Sequence, residues 1–100
     1  MDQKNNLKPD EQEVVQKIKM YDVHSNKFSK IGWYWCTQTF QGVCVVEFPN
    51  KARYMYFPIS QQVFGDVFKS QSKGQYFIQN IEKAPGVTYL KLGQPKMDLK

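Results

Sequence analysis

Apolar residues recur at helical spacing early in the chain and at alternating spacing through its middle. Pro9 is followed by Asp10, Glu11 and Glu13, which places acids in what would be the positive first turn of a helix. Val14, Val15, Ile18 and Tyr21 then fall on one face, and Glu13 stands four residues before Lys17. This pattern predicts a short amphipathic helix over residues 9–20, after a disordered lead-in. Such a helix either docks on the domain or reaches a partner chain. From residue 30 to residue 37 the period changes to two: Trp33 and Trp35 project to one side, Tyr34 and Cys36 to the other. A polar turn around residues 38–42 leads to a second strand over residues 43–48. Pro49-Asn50-Lys51 turns the chain into a third strand over residues 53–57.

The register of this second hairpin follows from one charge. An even loop puts Arg53 on the face of Phe48, Val46 and Met55 and buries it unpaired. An odd loop of Asn50, Lys51 and Ala52 opposes Phe48 to Tyr54 and Val46 to Tyr56. Because an unpaired buried arginine is costly, the odd loop is preferred. It gathers Cys44, Val46, Phe48, Tyr54 and Tyr56 on one face and sends Val45, Glu47, Arg53 and Met55 to the other.

After Pro58, Ser60 reads as the cap of a helix carrying Val63, Phe64, Val67 and Phe68 and ending near Ser70. Ser72-Lys73-Gly74-Gln75 fits a capping box that opens a second short helix with Tyr76, Phe77 and Ile81. Ala84-Pro85-Gly86 breaks it. Residues 87–92 read as a further strand, followed by a basic tail. The expected fold is α+β: a small antiparallel sheet of three to four strands, two short helices packed on one face, and an N-terminal amphipathic helix. The chain divides into an extension over residues 1–22, a central domain over 23–82 and a C-terminal strand and tail over 83–100.

One hundred residues with 41% hydrophobic and 23% charged positions suit a single globular domain with one modest core. The net charge of +5 is unevenly spread. Residues 1–22 set four lysines against five acids, whereas residues 23–81 set six cations against Glu47 and Asp66 and hold thirteen of the fifteen aromatics. A basic, aromatic middle suits a polyanion. No apolar run reaches membrane-spanning length and no export signal opens the chain, so a cytoplasmic protein with reduced Cys36 and Cys44 is expected. No metal site or cofactor is expected: His24 is the single histidine, and the cysteine spacing matches no zinc pattern.

The stretch from Ser25 to Ile81 resembles the KTSC domain, found at the C-terminus of some lysyl-tRNA synthetases and as a stand-alone protein. The resemblance rests on Phe28, Ile31-Gly32, Val46-Glu47-Phe48, the central Tyr54-Met55-Tyr56, Val63-Phe64 and Ser72-Lys73-Gly74-Gln75-Tyr76-Phe77. It implies a small α+β domain with a suggested RNA-binding role and no catalytic residues. The chain departs from the family pattern in a first hairpin about four residues longer, which carries Trp33, Trp35, Cys36 and Cys44. Asn50, Lys51 and Ala52 replace the usual turn glycines, Ser60 replaces a proline, and Glu82 stands where a basic residue is frequent.

Two binding functions follow. Binding of RNA or another single-stranded nucleic acid would use Lys27, Lys30, Lys51, Arg53 and Lys73 for phosphates, with Trp33 and Trp35 as stacking faces. Tyr34 and Lys69 are further candidates. A protein-interaction or self-associating module, serving a bacterium or a phage as adaptor or inhibitor, would instead use an interface of Val43, Val45, Met55 and Phe57, with Trp33 and Trp35 as candidates for the same face. A small nucleotide ligand on the amides of the Ser72-Lys73-Gly74 turn belongs to this second reading. An enzyme is disfavoured, because the chain offers no second histidine, no carboxylate pair at meaningful spacing and no glycine-rich phosphate loop.

Overall fold

The computed structural model describes residues 8–93. The lead-in before them and the basic tail after them lie outside the described residues. Asp10 caps the first helix by accepting from the Gln12 amide at 3.0 Å, and the helix α1 runs over Glu11–Lys17. It is shorter than its apolar spacing predicts. At Ile18 the backbone turns extended, and Lys19–Asp22 forms an edge strand, β1. Strands β2 (Lys30–Cys36), β3 (Gln41–Glu47) and β4 (Arg53–Phe57) follow. Then come helix α2 (Gln61–Lys69), helix α3 (Lys73–Phe77) and strand β5 (Thr88–Lys91). The five strands make one antiparallel sheet in the order β1-β2-β3-β4-β5. The sheet therefore has five strands rather than three to four, because the helical spacing of Val14, Ile18 and Tyr21 runs on into β1.

The two faces of the sheet carry separate cores. On one, Ile31, Cys44, Val46 and Tyr56 pack with Phe28, Ile59, Val67, Phe77 and Ile81 beneath α2 and α3. On the other, Val43, Val45, Met55 and Phe57 pack with Cys36 and Leu92 beneath Val14 of α1. Cys36 and Cys44 lie in opposite cores, and both are free thiols. Burial pushes the Cys44 thiol far above its ordinary value.

The odd loop between β3 and β4 is confirmed, displaced by one residue. Cys44 faces Tyr56 and Val46 faces Tyr54. The Phe48 amide donates to the Ala52 carbonyl at 2.9 Å, leaving Pro49, Asn50 and Lys51 as the three-residue loop. Lys51 occupies the left-handed region at φ 77°, the conformation for which glycine is usual and in which a three-residue hairpin loop closes. The face assignment survives because a shift of two in register preserves parity.

Register is also fixed by charge. On the α1 side one row crosses four strands as Asp22, Lys30, Glu47 and Arg53, alternating in sign. Lys30 Nζ lies 2.7 Å from Asp22 Oδ1, and Arg53 Nε lies 2.7 Å from Glu47 Oε1. Lys30 also holds the Asp22 carboxyl below its ordinary value, by hydrogen bond and by charge. The side chain of Glu47 is only 8% exposed and that of Arg53 34%, so this pair has little water to replace it. Glu47→Gln is expected to cost about 1–2 kcal/mol, less than for a fully buried pair because Arg53 regains some hydration. In urea unfolding, adding Arg53→Gln to that variant should cost less than Arg53→Gln costs the parent. Strict additivity would show that the two charges do not act as a pair.

Ser60 caps α2 as predicted, accepting from the Val63 amide at 3.1 Å. The capping box at Ser72 does not form. Ser72 is the first residue before α3 but makes no side-chain cap bond, and Ser70 Oγ instead accepts from its amide and donates to its carbonyl. Beyond α3 the chain widens into one π-helical turn, Ile78–Glu82, closed by the Lys83 amide on the Ile78 carbonyl at 2.9 Å.

Candidate binding surface

The turn between β2 and β3 holds four residues, 37–40, so odd positions of β2 oppose even positions of β3. Trp33 faces Cys44 and Trp35 faces Gly42. Both tryptophans therefore lie on the helix side, with Tyr54 and Tyr56, and not with Val43 and Val45. Gly42 makes this arrangement possible. A Cβ there would stand 2.7 Å from the Trp33 ring and 2.0 Å from the Ile59 carbonyl oxygen. Its absence lets the segment after β4 pair with β3, the Ile59 amide donating to the Gly42 carbonyl at 2.9 Å. Trp33 Nε1 donates in turn to the Ile59 carbonyl at 2.7 Å, which fixes a half-buried indole.

Outward from this anchor the surface becomes aromatic and open. Trp35 is 46% exposed and lies 6.3 Å from Trp33 at 33° between ring planes. Phe40, in the left-handed region at φ 52° on the hairpin tip, is 77% exposed. With Pro58, Ile59 and Gln61 these rings line an open groove of about 760 Å³. A second aromatic group joins β1 to α2: Tyr21 lies 6.3 Å from Phe64 and 6.0 Å from Phe68, ring centre to ring centre. Lys19 links the two groups. It faces Trp33 in the sheet register and holds its ammonium 5.4 Å from the centre of the Tyr21 ring. The result is an aromatic strip along the β1 edge of the helix side, with a lysine in its middle.

The predicted phosphate-binding residues are not gathered here. Lys30 and Arg53 lie in the charge row on the α1 side, paired with Asp22 and Glu47. Lys27 sits 3.6 Å from Glu82 and lines a polar cleft with His24, Ser25 and Lys73. Lys73 Nζ donates to the Ser70 carbonyl at 3.3 Å. Lys51 is exposed on the β3–β4 turn. Of the predicted set only Trp33 and Trp35 belong to the strip. Lys19, Tyr21, Phe40 and Phe68 join the strip without being among the candidates, since the spacing places Tyr21 and Phe68 on the apolar sides of helices and Phe40 in a turn.

The predicted interface is a core in this structure. Val43, Val45 and Met55 are at most 1% exposed and Phe57 is 5% exposed, all under α1. Tyr34, a candidate stacker, is half-buried on that side and donates its hydroxyl to the Glu13 carboxylate. That bond, with burial and the Glu13 charge, pushes its pKa up to about 12.

No helix among the described residues is long and apolar enough to cross a membrane. No cluster of histidine, cysteine and acidic side chains with metal-binding geometry occurs among them. No curated protein matches the chain. The KTSC domain model matches residues 24–84, well over half of the chain. The protein belongs to the KTSC domain family.

Proposed function

We propose that this KTSC-domain protein binds RNA or another single-stranded nucleic acid along the Trp35–Tyr21 edge, stacking bases on exposed rings. The observation that carries this reading is the strip itself: Trp35, Phe40, Tyr21 and Phe68 are all exposed, and Lys19 stands among them. Such rings are costly to leave in water without a partner. A base offers every ring a face irrespective of sequence, and a net charge of +5 draws the polyanion toward the surface. The residues that this reading uses are Trp33, Trp35, Phe40, Tyr21, Phe68 and Lys19, and the module acts by binding alone. Few free cations lie beside the rings, so stacking carries more of the affinity than phosphate contacts do.

Both tryptophans of the chain lie in the strip, so intrinsic fluorescence reports the site directly. A uridine homopolymer should quench that emission saturably and bind more weakly as salt rises, with a shallow slope set by few phosphate contacts. Trp35→Ala removes a half-exposed ring and should leave the melting temperature close to that of the parent. It should weaken binding by about tenfold, the value of one stacked base. Absence of quenching, or unchanged affinity in Trp35→Ala, would overturn the reading. The apolar groove between Trp33, Phe40 and Pro58 would then favour the side chain of a protein partner.

A further inference from the structure

A separate cavity opens on the same side of the sheet at its other edge, between β4, β5 and the π-helical turn. It holds about 510 Å³, within the range of small-ligand sites, and is lined by Phe48, Tyr54, Tyr56, Tyr89, Glu82 and Lys91, with Asn50 and Ala52 at its rim. The walls are aromatic. Tyr89 lies 6.1 Å from both Tyr54 and Tyr56, and Phe48 meets Tyr54 edge to face at 5.6 Å.

The floor is polar and unpaired. Tyr56 is 3% exposed, yet its hydroxyl makes no hydrogen bond among the described residues. A hydroxyl on so buried a ring ordinarily finds a partner. Tyr56 lines this cavity together with Glu82, Tyr54 and Tyr89, and its hydroxyl is not sealed from solvent, so it opens onto this space. Burial first, and the Glu82 charge second, hold it well above the ordinary phenol range and keep it a donor. Glu82 closes the π-helical turn, a backbone irregularity that re-aims side chains and is common at functional sites. Its carboxylate, 3.6 Å from Lys27, supplies an acceptor to the same space.

We propose that this cavity binds a free mononucleotide. A nucleobase is flat, stacks on tyrosine, and presents a donor beside an acceptor along its pairing edge. The Tyr56 hydroxyl donates to the acceptor, the Glu82 carboxylate takes the donor, and the ring lies against Tyr54 and Tyr89. Lys91 at the cavity wall meets the phosphate. This site shares no residue with the tryptophan strip.

The test is titration of the full chain with AMP and with UMP, following tyrosine ring signals by NMR. At least one of the two should shift the Tyr54 and Tyr89 signals saturably, leave tryptophan emission unchanged and raise the melting temperature. Ribose 5-phosphate, which lacks the base, should neither shift those signals nor raise the melting temperature. Tyr56→Phe keeps the ring and should weaken binding by about tenfold, the worth of one buried hydrogen bond to a ligand. Glu82→Gln, on the cavity wall, gives a second variant with the same expected direction. Failure of both nucleotides to shift the tyrosine signals overturns the proposal. So does equal binding of ribose 5-phosphate, or a response confined to the homopolymer.

Discussion

Phe77→Ala is expected to destabilise the protein by about 3–5 kcal/mol, a large share of what a domain this size possesses. Phe77 is fully buried, and three other rings close on it: Phe28 at 5.2 Å, Tyr56 at 5.4 Å and Phe48 at 6.2 Å. Each approaches at a steep angle, so no neighbour can slide flat into the vacated space. The cavity penalty therefore adds to the lost transfer energy rather than being relieved by collapse. In thermal unfolding this corresponds to a fall of roughly 15–30 °C. Val15→Ala, on the exposed side of α1 at 48% exposure, is the matched control and should stay within about 0.5 kcal/mol. A Phe77→Ala protein that melts within a few degrees of the parent would mean that the tyrosine face is not the main core.

That core was readable because each clue to it was local. Parity along a strand is rigid, so deciding where Arg53 could go decided Tyr54 and Tyr56 as well. Glu47, directly across from it, is the partner that lets Arg53 lie on that face. The first hairpin offered no such lever. Its turn contains no charge whose burial would fix the loop length, so only the four-residue loop of the structure decides the side taken by Trp33 and Trp35. Strand β1 was hidden for a related reason. Ile18 and Tyr21 continue the helical spacing of Val14, and only the pairing of Lys19 to Asp22 with β2 reveals an extended chain.

The site was less readable than the fold because charge balance is settled in space and not along the sequence. Two of the six cations in the basic middle of the chain are paired by acids from either side of it: Asp22 takes Lys30 and Glu82 takes Lys27. A count over residues 23–81 misses both acids. Conversely Lys19, outside that stretch, is the cation that lies among the exposed rings. The Tyr-x-Tyr pair also divides in a way alternation does not foretell. Tyr56 is buried beneath Phe77, while Tyr54 is half-buried and faces the open cavity under Tyr89. Both tyrosines do point to the helix side, but the pair serves the core and a cavity wall together.

Val14→Asp is expected to detach α1 and turn a covered face into a self-associating one. Val14 is the one fully buried residue of a seven-residue helix, a length too short to hold its fold in water alone. A carboxylate in that position loses hydration without gaining a partner, since the cluster around it is Val43, Val45, Met55, Phe57 and Leu92. Releasing the helix costs less than burying the charge. The helix side, with Phe77 and the tryptophans, has no contact with Val14 in its core and should persist, so tryptophan emission should remain native. The exposed Val43–Phe57 face would then cover itself with a second copy, seen as a mass increase in sedimentation. Tyr34 separates this outcome from general unfolding. Its pKa of about 12 depends first on the bond to Glu13, so losing α1 should bring it down toward 10.0 while the tryptophan signal stays unchanged. A monomeric variant with Tyr34 still titrating near 12 would show that α1 is held by something other than Val14. Self-association with a normal tryptophan signal would explain how a face that reads as an interface in the sequence becomes a core through one valine.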